Sequence, residues 1–138
     1  MSKYELALKI ATDAHKGQVD KAGVEYINHP LKVASLVYNE KEKIVALLHD
    51  TIEDTYITEQ HLIDYGFSNE IIEAVKVLTH SKDVPYMDYI QKIKGNKLAR
   101  KVKIADLTHN SDLTRLKNIT EKDRKRCEKY KKALMYLS

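Results

Sequence analysis

An apolar run that ends abruptly in ionisable side chains constrains this chain most: Ala46-Leu47-Leu48-His49-Asp50-Thr51-Ile52-Glu53-Asp54-Thr55. Residues three and four apart on a helix share a face, so a continuous helix would stack Glu53 over His49 and Asp54 over Asp50. The preceding Ile44-Val45-Ala46-Leu47-Leu48 reads as buried, so the polar group would project from the end of a core segment. Carboxylates buried there without partners are costly, which points to a metal ion or a cationic ligand. The alternative is a helix end with solvated acids and one hydrogen-bonded histidine.

Two other segments repeat the pattern. In Tyr26-Ile27-Asn28-His29-Pro30 the proline suits the first turn of a helix and places His29 just ahead of it. In Val102-Lys103-Ile104-Ala105-Asp106-Leu107-Thr108-His109-Asn110 an apolar stretch again ends in polar groups, with Asp106 and Asn110 one turn apart. Imidazoles and carboxylates together suit manganese, iron or zinc and suit copper(I) poorly. Two histidines and two aspartates would leave coordination positions open for water and substrate.

His29, then His49-Asp50, then Asp106 resemble the H…HD…D ligand series of HD-domain metal-dependent phosphohydrolases. The flanking words Ala14-His15-Lys16-Gly17-Gln18, Lys21-Ala22-Gly23, Tyr26-Ile27-Asn28-His29-Pro30, His49-Asp50-Thr51-Ile52-Glu53-Asp54-Thr55 and Val102-Lys103-Ile104-Ala105-Asp106 resemble the hydrolase domain of RelA/SpoT alarmone enzymes. They are most similar to its free-standing, single-domain relatives, over about residues 4–136.

Composition is compatible with that resemblance. The 138 residues suit one domain, 1–138, large enough for a sizeable core. One cysteine, Cys127, excludes an internal disulfide and fits a reducing compartment. No apolar run approaches the ~20 residues of a membrane span, and the start of the chain lacks a secretory core, so a cytoplasmic location is expected. The net charge of +4 comes largely from Lys117 to Lys132, read mainly as a solvated helix face whose field favours phosphates. Without a stacking platform or recognition motif, nucleic acid is not an expected partner. Four glycines, two prolines and no two-residue alternation predict helices at about 2–16, 30–38, 41–51, 58–65, 68–79, 86–94, 96–113 and 120–136. Thr58, Ser68 and Thr120 serve as caps, and Cys127, Tyr130, Leu134 and Leu137 form an inward stripe. The expected fold is all-α, a single-domain orthogonal bundle with the ligands near helix ends around one cleft.

The resemblance implies roles. His29, His49, Asp50 and Asp106 match metal ligands, with manganese the implied ion. Glu53 and Asp54 match an acidic pair that positions and deprotonates the attacking water. Asn110, Lys21, Lys82, Arg126 and Tyr130 match substrate-binding positions, and Tyr26 either lines the nucleotide pocket or packs the core. Lys103 faces cleft or surface. His15 reads as structural, His61 as solvent-facing, and His80 and His109 as polar neighbours of the cleft. One position departs from the pattern: many alarmone hydrolases carry an arginine before the lysine of Lys21-Ala22-Gly23, able to stack on guanine, whereas this chain has Asp20. An aspartate would repel phosphates, so base recognition is expected to be weaker or different. The expected activity is removal of the 3′-pyrophosphate of guanosine-3′,5′-bis(diphosphate). A phosphatase of another nucleotide or phosphorylated cofactor, and a nucleotide-binding regulatory module without turnover, are the alternatives.

Overall fold

The computed structural model describes residues 1–138 as nine α-helices and one 3-10 turn. In chain order these are α1 (Lys3–Ala14), α2 (Asn28–Ser35), α3 (Glu40–Leu48), α4 (Thr51–Asp54), α5 (Glu59–Asp64), α6 (Asn69–Leu78), α7 (Tyr86–Lys94), α8 (Lys97–Asn110) and α9 (Glu121–Leu137), with the 3-10 turn at Leu113–Arg115. Strand pairing is limited to one bridge between Val19 and Glu25 in the α1–α2 loop. No helix is long and apolar enough to cross a membrane.

Helix α3 is the centre of the bundle. Its segment Ile44–Leu48 is buried on every side because α1, α2, α6 and α8 all pack against it. A capping box starts it: the Asn39 side chain accepts from the Glu42 backbone N–H, and Glu42 reaches back to the Asn39 N–H. Thr58, Ser68 and Thr120 cap α5, α6 and α9 as their sequence positions predict, and Thr120 with Asp123 forms a full capping box. Because Leu47 is wholly buried in this centre, Leu47→Ala should cost about 2–5 kcal/mol. A lower urea midpoint at unchanged slope would report that loss; an unchanged midpoint would mean that the neighbours collapse into the space.

The structure departs from the sequence pattern where the site is built. The expected continuous helix through His49 breaks: α3 ends at Leu48, and α4 starts at Thr51. Two side chains take the carbonyls that a continuing helix would use. His49 Nδ1–H donates to Ala46 O at 2.5 Å, and the Thr51 hydroxyl donates to Leu48 O at 2.7 Å. Helix α2 begins at Asn28, so His29 lies inside its first turn, where Pro30 forfeits no helical hydrogen bond. Helix α8 stops at Asn110 and not at 113, because Asp112 accepts from the Thr114 N–H and hydroxyl and starts the 3-10 turn instead.

Candidate functional site

The break after α3 aims His49 and Asp50 at the first turn of α2 and the last turn of α8. The Ala46 carbonyl fixes the proton of His49 on Nδ1, leaving Nε2 as a free lone pair. That Nε2 is buried without a hydrogen-bond partner. It lies 3.1 Å from Asp50 Oδ2 and 3.3 Å from Asp106 Oδ1. His29 Nε2 stands 4.0 Å from Asp50 Oδ2 and 2.7 Å from Asp106 Oδ1. The other nitrogen of His29 meets His109 Nδ1 at 2.7 Å, with the two rings stacked. Donation from His29 to His109 there would free His29 Nε2 as a ligand.

This donor set fits a divalent ion. His29, His49 and Asp50 offer ligand atoms all within 4.8 Å of one another. Two ligands that each sit about 2.0–2.2 Å from an ion are separated by roughly 2.8–4.4 Å. The 3.1, 3.3 and 4.0 Å spacings fall in that range, the 2.7 Å between His29 and Asp106 lies just below it, and the orphaned Nε2 of His49 lies among them. This His/Asp cluster could hold a divalent metal ion.

The charges around it are tightly balanced. Burial disfavours ionised Asp106, but the Lys103 ammonium outweighs it and holds the carboxyl well below its ordinary range. Lys103 Nζ donates to Asp106 Oδ2 at 2.9 Å, and Asn110 Nδ2 donates to Oδ1 at 3.1 Å. Lys103 therefore sits in the cleft, over the Tyr89 ring. Burial opposes the charge on Asp50, and its Oδ2 faces both His29 and His49. The Tyr26 hydroxyl donates to Asp50 Oδ2, and its ring tilts against His15 and His29. That hydroxyl is thus committed to a candidate ligand, while the residue still lines the cleft.

Glu53 and Asp54 leave α4 on the solvent side. The backbone N–H of His80 donates to Glu53 Oε1 at 2.7 Å and fixes the carboxylate at the cleft. Partial desolvation raises the Glu53 pKa, and Asp54 and Asp50 add to the rise against the pull of that N–H. Desolvation and Asp50 raise Asp54 too. Gln18 anchors the Asp54 backbone by donating to its carbonyl at 3.0 Å, and His15 in turn contacts Gln18.

The cleft has two lobes that share Asn110 and Tyr130. The larger, about 340 Å³, is lined by Lys21, Tyr26, His29, Arg115 and Arg126 among others. The smaller, about 240 Å³, is lined by Asp50, Glu53, His80, Lys103, Asp106 and Lys129 among others. Lys82 is exposed and lines neither lobe, although the neighbouring His80 does. Lys129, which the sequence reading leaves on a solvated face, is the cation that α9 adds to the smaller lobe, 4.4 Å over the Tyr86 ring. Its three-residue offset from Arg126 is the sequence signal for it, and that offset fits an exposed face equally well. His61 is exposed and closes the α5 capping box.

Asp20 behaves differently from the expectation that it repels phosphates. Its Oδ1 accepts from the N–H groups of Ala22 and Val24, at 2.8 and 3.0 Å, and so shapes the loop that carries Lys21. Its Oδ2 pairs with Arg115 Nη2 at 2.9 Å. Partial burial works against ionisation, but these donors prevail and lower the Asp20 pKa. The charge of Asp20 is spent within the protein.

Comparison with known proteins agrees with this architecture. A solved structure described as a metazoan ortholog of SpoT that hydrolyzes ppGpp superposes with a TM-score of 0.81 over 99% of this chain and 85% of that one, at 22% identity. The guanosine-3′,5′-bis(diphosphate) 3′-pyrophosphohydrolase of Haemophilus influenzae is 36% identical over 115 residues, 73% of this chain and 17% of the relative. The bifunctional (p)ppGpp synthase/hydrolase SpoT of Escherichia coli K12 is 31% identical over 127 residues, 80% of this chain and 18% of the relative. The chain thus spans less than a fifth of the length of these two curated relatives. The family model described as HD domain matches residues 7–136, from the middle of α1 to the end of α9 and across every residue of the His/Asp cluster, and the chain belongs to the HD-domain family.

Proposed function

We propose that this chain is a manganese-dependent phosphohydrolase that releases pyrophosphate from the 3′ position of guanosine-3′,5′-bis(diphosphate), leaving GDP. The observation that carries the proposal is the orphaned His49 Nε2 facing Asp50 and Asp106, with His29 beside them and Glu53 in the adjoining lobe. His29, His49, Asp50 and Asp106 would hold the ion. When bound, a divalent ion supplies a Lewis acid and lowers the pKa of a coordinated water from ~16 towards ~7.

The protein residues carry the remaining work. Glu53 takes a proton from the attacking water on Oε2, because Oε1 is engaged by the His80 N–H. The water oxygen bonds to the phosphorus attached to the ribose 3′ oxygen, the P–O3′ bond breaks, and O3′ takes a proton from solvent to become the hydroxyl, while Glu53 returns its proton to solvent. Lys129 and Lys103 in the smaller lobe offset the charge of the departing pyrophosphate. Lys21 and Arg126 in the larger lobe hold the 5′-diphosphate, with Asn110 and Tyr130 at the seam beside the ribose. The names of the curated relatives support this substrate class.

Manganese-loaded protein incubated with guanosine-3′,5′-bis(diphosphate) should yield GDP and pyrophosphate by phosphorus NMR. Release of orthophosphate alone, or no turnover, would refute the proposed reaction.

A further inference from the structure

The larger lobe contains two guanidinium groups in different electrostatic settings. Arg126 is paired with Asp123 on α9, and close enough to Lys21 that the two cations repel, which leaves net positive charge for a phosphate. Arg115 comes from the 3-10 turn and is tied at two points: Nη2 to Asp20 Oδ2 at 2.9 Å and Nη1 to His109 O at 3.2 Å. Its charge is matched by Asp20, and both bonds use N–H groups at the edge of the guanidinium plane. What such a group still offers a ligand is chiefly its flat face. Val19, Leu113 and Leu116 line the same lobe as Arg115 and add apolar surface to it.

We propose that Arg115 is the base-stacking residue of this cleft, with Asp20 as its positioning residue, so that the larger lobe takes a planar nucleobase on the guanidinium face. The inference rests on the nucleotide-site reading of the cleft but not on the reaction. Planar guanidinium stacks on aromatic rings in a way that an ammonium cannot reproduce. A contact of this kind recognises a flat ring more than its hydrogen-bonding edge, so discrimination between guanine and adenine should be modest. Asp20→Arg would forfeit the cap of its own loop and set two guanidinium groups against each other.

Binding of two probes by metal-loaded protein tests the assignment: GDP, and ribose 5-diphosphate, which keeps the sugar and phosphates but has no base. Arg115→Ala should weaken GDP by about 2- to 30-fold and leave ribose 5-diphosphate within about twofold. Arg115→Lys restores charge without the plane and should remain weak for GDP. Asp20→Asn should weaken GDP selectively as well, and add little once Arg115 is already alanine. Equal losses for both probes would make Arg115 a phosphate ligand and overturn the proposal. So would a wild-type protein that binds GDP no better than ribose 5-diphosphate, or an unchanged Arg115→Ala. Turnover of the bis(diphosphate) is measured separately, so failure of the reaction and failure of the base contact are distinguishable.

Discussion

A His49→Ala/Asp106→Asn double variant should retain less than stoichiometric divalent metal and lose hydrolysis to background. Each residue is chosen for a physical reason. His49 Nε2 is the one donor of the cluster that is both buried and without a hydrogen-bond partner, so the imidazole has little structural reason to keep that lone pair free. Asp106 is the carboxylate on which His29, Lys103 and Asn110 converge. Asparagine is preferred to alanine there because a bare cavity would leave the Lys103 ammonium without its partner. Removing one member of a buried pair costs about 3–5 kcal/mol. Metal content by atomic emission, together with the thermal midpoint, separates the two effects. Loss of metal at a preserved midpoint supports the ligand assignment; stoichiometric manganese in a folded double variant would refute it.

The His/Asp cluster was legible as a candidate because each member sits in a short word of its own: His29 before Pro30, His49 beside Asp50, Asp106 after an apolar stretch. Most helix boundaries were legible too, since Thr58, Ser68 and Thr120 cap by contacts only three residues long. The break at His49 was not readable. Ala46-Leu47-Leu48-His49 has helical composition, and it is the rotamers that place His49 Nδ1 on Ala46 O and the Thr51 hydroxyl on Leu48 O that stop the helix. The Asp20–Arg115 pair was not readable either, because its partners are 95 residues apart and belong to segments without regular periodicity. Read alone, Asp20 is an unpaired negative charge beside Lys21; folded, it is a loop cap and an arginine clamp. The cations split the same way. Lys21 and Arg126 line the larger lobe, while Lys82 is exposed and lines neither lobe and Lys129 takes a place in the smaller one.

Glu53→Gln should separate binding from chemistry. Glutamine has nearly the same volume and keeps a carbonyl oxygen for the His80 N–H, so the loop at residues 79–85 should remain docked. It cannot take a proton from water at neutral pH. If Glu53 is the general base, kcat falls by about 10²–10⁴-fold while metal content and nucleotide affinity stay within about twofold. The location favours this outcome: Glu53 lines the lobe that contains Asp50 and Asp106, and its pKa is raised, which makes it a better proton acceptor than an ordinary glutamate. Asp54 lines neither lobe and acts on Glu53 through charge, so Asp54→Asn should slow turnover far less, by under about tenfold. Equal defects would mean that the two acids share the proton. Wild-type rates in both variants would make the acidic pair structural, and a nucleotide-binding module without turnover would then be the better account of this cleft.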